Sequence, residues 1–210
     1  QRGTVAGRGW MINVPKIEHE DWPKILIYGD SISCGYITPF IADMLKKNIY
    51  VFHVIHFVGG DVPERVLTEV ASRYPYQAIV FNNGLHSLHW TPEKVSDDLV
   101  RERMGKMANC FIQGAPQAKI FYLNTTPHTA ARPEPRKPVA ALGELNGVVL
   151  RLNQLSAQVM QAKGIAEIDA YNPLTQKLEL AIGDGYHWTD KAYQIIAQEV
   201  AQKVLPSLGK

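Results

Sequence analysis

The sequence predicts an α/β fold, a three-layer, doubly wound parallel sheet of five strands, and three observations lead there. Short apolar runs at 25–28, 51–55, 78–81, 120–123 and 165–168 are rich in Ile, Val and aromatics and read as buried parallel strands. Stretches with helical spacing lie between them, as strand–helix–strand connections require. A chain of 210 residues, 46% hydrophobic and 20% charged, suits one core of that kind.

Residues 1–23 precede the first run and contain Trp10, Met11, Ile12 and Trp22; they are expected as an extra strand or wrap packed on the edge of a single domain spanning 24–210. Gly29-Asp30-Ser31 follows the first run directly, which places a serine at the carboxyl end of a strand, where parallel sheets carry their reactive groups. After the third run, Thr91-Pro92 reads as an N-cap followed by proline at the first helical position, with Val95, Leu99, Met104, Met107 and Phe111 as the apolar stripe. The segment 129–143, with Pro133, Pro135 and Pro138 among Arg132, Arg136 and Lys137, is longer than a usual connection and reads as a substrate-contacting or a solvated loop. Leu145, Val148, Val149, Leu152, Leu155 and Val159 form a second helical stripe. Ala192, Ile195, Ile196, Val200 and Val204 after Thr189 form a third, which closes the domain.

The formal charge of +2 and the absence of long like-charge runs point to neither nucleic acid nor an anionic membrane. No apolar stretch approaches the ~20 residues of a membrane helix, so a soluble chain is expected. The first residue is Gln1, which fits export after signal removal and fits a trimmed chain equally; the expectation leans to a secreted or periplasmic protein, with the cytoplasm the alternative. Cys34 and Cys110 allow one disulfide at most, and two buried helical thiols are the plainer reading. His53 and His56 lie three apart on one strand and so point to opposite faces; with His86, His89 and Asp61 they form no recognised ligand spacing, and no metal is expected. Glycine-rich and Walker-type phosphate motifs are missing, and no cofactor is expected.

The residues with chemistry are two short words. Ser31 is a poor nucleophile until a base takes its proton, and Asp184-Gly185-Tyr186-His187 offers an imidazole and a carboxylate to orient it. A tight turn at Gly29-Asp30-Ser31 would also leave the Ser31 N–H facing the crevice as a donor to an oxyanion. Each word also has a plain reading, a turn for the first and a helix cap with a surface histidine for the second.

Ile27-Tyr28-Gly29-Asp30-Ser31-Ile32-Ser33, Gly59-Gly60-Asp61, Gly84-Leu85-His86-Ser87 and Asp184-Gly185-Tyr186-His187 come in the order and spacing of the four motif blocks of the SGNH (GDSL-type) esterase family, which the chain resembles over roughly residues 24–204. The resemblance implies a flavodoxin-like SGNH hydrolase fold with Ser31, Asp184 and His187 as the triad. It implies Gly60 as a second oxyanion donor beside the Ser31 N–H. The third block departs: His86 stands where the family carries a donor asparagine, with Asn83 the other candidate. Asp30, Trp90, Asn124 and Trp188 are the candidate substrate contacts, Trp90 and Trp188 as faces for a sugar ring or simply as packing. Three functions stay open: a serine esterase removing a small acyl group, acetyl for preference, from a carbohydrate or other small ester; an acyltransferase using the same triad; and a catalytically quiet carbohydrate-binding member of the fold.

Overall fold

The computed structural model describes residues 3–7, 10–56, 64–82, 84–131 and 138–208. Two short strands, β1 (Gly3–Gly7) and β2 (Trp10–Val14), lead into β3 (Lys24–Gly29), α1 (Ser31–Leu45), β4 (Tyr50–His56), α2 (Glu64–Ser72) and β5 (Ala78–Phe81). A 3-10 turn over Gly84–His89 then precedes α3 (Asp97–Gly114), β6 (Lys119–Leu123), α4 (Asn146–Ala162), β7 (Ala166–Ile168), the single turn α5 (Asn172–Thr175) and α6 (Asp190–Val204).

The sheet order is β1-β2-β4-β3-β5-β6-β7. β3 to β7 are the five parallel strands the apolar runs predict, in the flavodoxin-like order. The hairpin β1–β2 pairs antiparallel with β4 and extends the sheet to seven strands, so the N-terminal segment continues the sheet itself. β3 is buried on both faces, and successive residues divide between two cores. Ile25 and Ile27 pack under α1 and α6, whereas Leu26 and Tyr28 pack under α2, α3 and α4. That division explains why the runs carry no polar alternation.

One helix start differs from expectation. α3 is capped by Ser96, whose side chain accepts from the Leu99 N–H, and Asp97 and Asp98 fill its first turn. Thr91-Pro92 opens a separate turn, in which the Lys94 and Val95 N–H groups both donate to the Thr91 carbonyl. Two acidic residues beside the helix dipole make Ser96 the better cap.

Strand order reverses at β3, so the crevice of this sheet lies beyond the carboxyl ends of β3 and its neighbours β4 and β5. Ser31 follows β3, His56 ends β4, and the 3-10 turn with His86 follows β5. α6 packs against α1, and the loop just before α6 is thereby carried to the start of α1.

Candidate active site

Ser31 is the first residue of the fifteen-residue helix α1, and Asp30 is its N-cap. The Asp30 carboxylate is fully buried: Oδ1 accepts from the Ile32 N–H at 2.9 Å, and Oδ2 accepts from the Leu85 N–H at 2.9 Å. At the first helical position the Ser31 N–H has no acceptor within the helix, and the cap is committed to its neighbours. Ser33, on the buried side of α1, donates its hydroxyl proton to the Asp30 carbonyl at 2.6 Å. Its oxygen lies 2.7 Å from His53 Nε2, so His53 must be the donor there. Burial pushes the His53 imidazole down to about 4, which keeps it neutral.

The second word arrives from the other end of the chain. Asp184 Oδ1 accepts from the N–H groups of Tyr186 and His187 at 2.9 and 2.8 Å, closing a tight turn. Its other oxygen lies 2.6 Å from His187 Nδ1, and His187 Nε2 lies 2.8 Å from Ser31 Oγ. Partial burial works against the Asp184 charge, but the His187 and Tyr186 donors outweigh it and hold the carboxyl below its ordinary range. An ionised Asp184 only accepts, so the proton on His187 sits on Nδ1, and Nε2 is left to accept from Ser31. Gly185, at φ +94°, makes this turn possible, and its carbonyl accepts from the Thr129 N–H at 2.9 Å. The three side chains stay accessible: Ser31 is exposed, and the His187 and Asp184 side chains are 36% and 41% exposed.

The third block is tied to the first. Gly84 has φ +61°, and a Cβ there would run into the Asp30 carboxylate, so only glycine lets this turn close on the cap. His86, half-buried, has its Nδ1 3.0 Å from Nδ1 of His56, with the rings edge to face. The His56 ring in turn stacks on Tyr28, 5.0 Å away and tilted by 15°. Burial, partly offset by Asp30, lowers the His86 imidazole below its ordinary range, and His89 adds to the lowering. Gly59, Gly60, Asp61 and Asn83 lie outside the described residues, as do 132–137 of the long loop. The ends of that loop are described: Thr129 bridges Leu142, and Val139 is buried in the core under α1 and α6.

The four candidate substrate contacts are placed otherwise than expected. Trp90 is buried in the core beneath α3 with the Arg103 guanidinium 4.7 Å above its ring, and its carbonyl accepts from Arg151 at 2.8 Å. Trp188 is buried in the core beneath α1 and α6. Both rings are packing, as large aromatics beside a sheet usually are. Asn124 is spent inside: its oxygen accepts from the Ala170 and Tyr171 N–H groups and its amide reaches Glu167 and Asp169. Asp30 is the buried cap described above and presents nothing to a ligand. Cys34 is exposed on α1 and Cys110 is buried on α3; both are free thiols.

Two residues were missed. Tyr186, 38% exposed and next to His187, has its ring 5.1 Å from that of His128, edge to face. His128 follows Pro127 in the loop after β6, and only its place beyond a parallel strand could have singled it out. His56 points away from His53 on its strand, as the alternation predicts, and nothing in the sequence pairs it with His86, thirty residues on.

No family model matches this sequence, and no curated protein matches it. Solved structures do match. A putative arylesterase from Agrobacterium tumefaciens superposes with a TM-score of 0.64 at 17% identity, covering 88% of this chain and 99% of that one. A carbohydrate acetylesterase from Sinorhizobium meliloti gives 0.61 at 17% identity over 88% and 99%. A GDSL-like lipase from Bacteroides thetaiotaomicron gives 0.62 at 17% identity over 91% of each chain. Strand order, these superpositions and the serine at the head of α1 agree: the chain has the fold of the SGNH, or GDSL-type, hydrolases.

Proposed function

We propose that the protein is a serine ester hydrolase that removes a small acyl group, acetyl for preference, from a carbohydrate or other small ester. One observation carries this reading, the continuous relay from Ser31 Oγ through His187 to Asp184 at 2.8 and 2.6 Å. In that reading Ser31 Oγ bonds to the ester carbonyl carbon while its proton passes to His187 Nε2, and the ionised Asp184 stabilises the imidazolium. The charge that develops on the carbonyl oxygen meets the Ser31 N–H at the positive end of α1 and an N–H of His86. The C–O bond then breaks, the leaving alkoxide takes the proton from Nε2, and water repeats the sequence on the acyl-serine. Gly60 remains the proposed second backbone donor.

The exposure of all three side chains favours hydrolysis over acyl transfer, since transfer needs water kept from the acyl-enzyme. Acetyl on carbohydrate is supported by fold neighbours whose own function is carbohydrate acetylesterase. With Trp90 and Trp188 buried, Tyr186 is, among the described residues, an exposed aromatic face beside the triad for a substrate ring. The test is hydrolysis of p-nitrophenyl acetate against the butyrate and octanoate esters, followed by acetate release from acetylated xylose and glucose. A preference of about tenfold or more for acetate, with acetate released from the sugars, is the expected result. Equal or greater turnover of octanoate would remove the small-acyl reading.

A further inference from the structure

A hydrogen bond between two imidazole nitrogens has a property that an amide lacks, because it can be made in two directions. His56 Nδ1 and His86 Nδ1 are 3.0 Å apart, and one proton must lie between them. If His86 is the donor, its Nε2 is a bare acceptor, and a developing oxyanion would meet a lone pair. If His56 is the donor, His86 carries its remaining proton on Nε2 and can donate it. The asparagine amide of the related fold needs no such help, since its NH₂ always donates.

Resting on the esterase reading above, we infer that His56 is a positioning residue: its Nδ1–H, donated to His86 Nδ1, holds His86 as the Nε2–H tautomer that the oxyanion requires. His56 is suited to this by its setting. It is the last residue of β4, 4% exposed, with its ring plane fixed against Tyr28. His86 is fixed too, one residue beyond Leu85, whose N–H is held by the buried Asp30 carboxylate. Among the described residues, the groups facing the pair include Asp30 before α1, Tyr28 on β3 and His89 in the same 3-10 turn. Burial lowers the His86 imidazole and so favours its neutral form, and a neutral ring depends on its neighbour for the correct tautomer.

The test uses His56→Phe, which keeps a flat ring against Tyr28 but has no donor, and His56→Asn, whose amide lies close to the place of Nδ1. For His56→Phe the expected kcat at pH 8 falls about 10- to 100-fold with KM little changed, within the loss of one oxyanion donor. The ratio of mutant to parent kcat should climb at the acid end of the profile, where His86 takes up a proton, because an imidazolium carries Nε2–H without assistance. His56→Asn should recover most of the rate lost in His56→Phe. In a His86→Asn background the phenylalanine change should cost less than about twofold, since an amide donor has no tautomer to set.

A ratio that is flat with pH, or an equal loss in the His86→Asn background, would show that His56 acts only by packing and would overturn the inference. Full activity in His56→Phe together with a 10²- to 10³-fold loss in His86→Ala would overturn it while leaving His86 as the donor. Full activity in His86→Ala, with Ser31→Ala still dead, would remove both roles and leave the oxyanion to backbone amides. Should His56→Phe fail to fold, His56→Leu, which also lacks a donor, takes its place in the pH ratio and in the His86→Asn cycle.

Discussion

Set beside the His56–His86 pair, the Ser31–His187–Asp184 relay is built mostly from sequence neighbours. Asp184 and His187 stand three apart and their turn is closed by their own backbone N–H groups; one long-range contact, to Ser31, completes the relay. The histidine pair comes from the end of β4 and the turn after β5, and only the sheet brings them together. The relay lies in the open, where each member contributes little to packing, whereas the pair and the Asp30 cap lie within the wall of the crevice. The difference teaches that one site can separate what it presents from what holds it in place, with the accessible relay at its mouth and the buried cap and imidazole inside the fold.

That separation breaks most sharply at Ser31. Ser31→Ala and His187→Ala are each expected to lower kcat about 10⁴-fold or more, to a common floor, because residues that act as a unit are lost together. Their thermal midpoints should stay within about 2 °C of the parent, since an exposed hydroxyl supports little packing. Labelling of the parent by a fluorophosphonate should map to Ser31 by peptide mass. An active Ser31→Ala protein would end the reading.

At Asp30 the two halves should fail together. Asp30→Ala removes an N-cap worth about 1 kcal/mol and strands the buried Leu85 N–H at about 1–3 kcal/mol, so the melting temperature should fall by roughly 5–15 °C. Turnover should fall as well, because the cap joins the nucleophile turn to the turn that carries His86. A variant that melts early yet keeps full kcat would show the two turns to be held independently.

His53 sharpens the contrast through pH. Unfolded, it takes up a proton near pH 6.5, and folded, burial delays this to about 4. Between those values the unfolded chain binds more protons, so stability should fall as pH drops from 6.5 to 4 and be untouched by this group above 6.5. His53→Gln, which keeps a donor toward Ser33 without a titrating ring, should flatten the melting temperature against pH in that window. A slope equal to the parent's would assign the effect to other groups.

The Ser31–His187–Asp184 contact and the five parallel strands were legible because each is written in short words: an apolar run of four or five residues, or a carboxylate and an imidazole one turn apart. Tertiary pairing was not. Trp90 and Trp188 sit beside histidines in the sequence, yet each ring turns into a core, and no spacing records which face of a turn is covered. Asn124 looked like a polar group at a strand end and proved to be consumed by the Ala170 and Tyr171 amides across the sheet. Thr91-Pro92 lost to Ser96 because two helix-start signals stood five residues apart and only the acidic one had the dipole on its side.

The smallest effect expected concerns the thiols. Cys34 is exposed and Cys110 is buried, so a reductant should shift the melting temperature by less than about 1 °C. Burial and the nearby Asp30 raise the Cys34 thiol, so maleimide labelling should be slow at pH 7, quicker at pH 9 and confined to Cys34. Rapid labelling of Cys110 in the native protein would show α3 to be less tightly held than its packing implies.

The N-terminal hairpin has a consequence well away from its own strands. β3 runs beside β4 only as far as the Gly29–Ile55 pair, and His56 lies one residue beyond it, opposite Trp10 of β2. In a five-stranded sheet without the hairpin, β4 would be a border strand and His56 its frayed tip. The antiparallel hairpin turns that tip into a clamped interior position. A donor that must not reorient while charge develops is thereby anchored by a segment that contributes no atom to the reaction, and shortening the chain from its first strand would loosen the imidazole before it loosened the sheet.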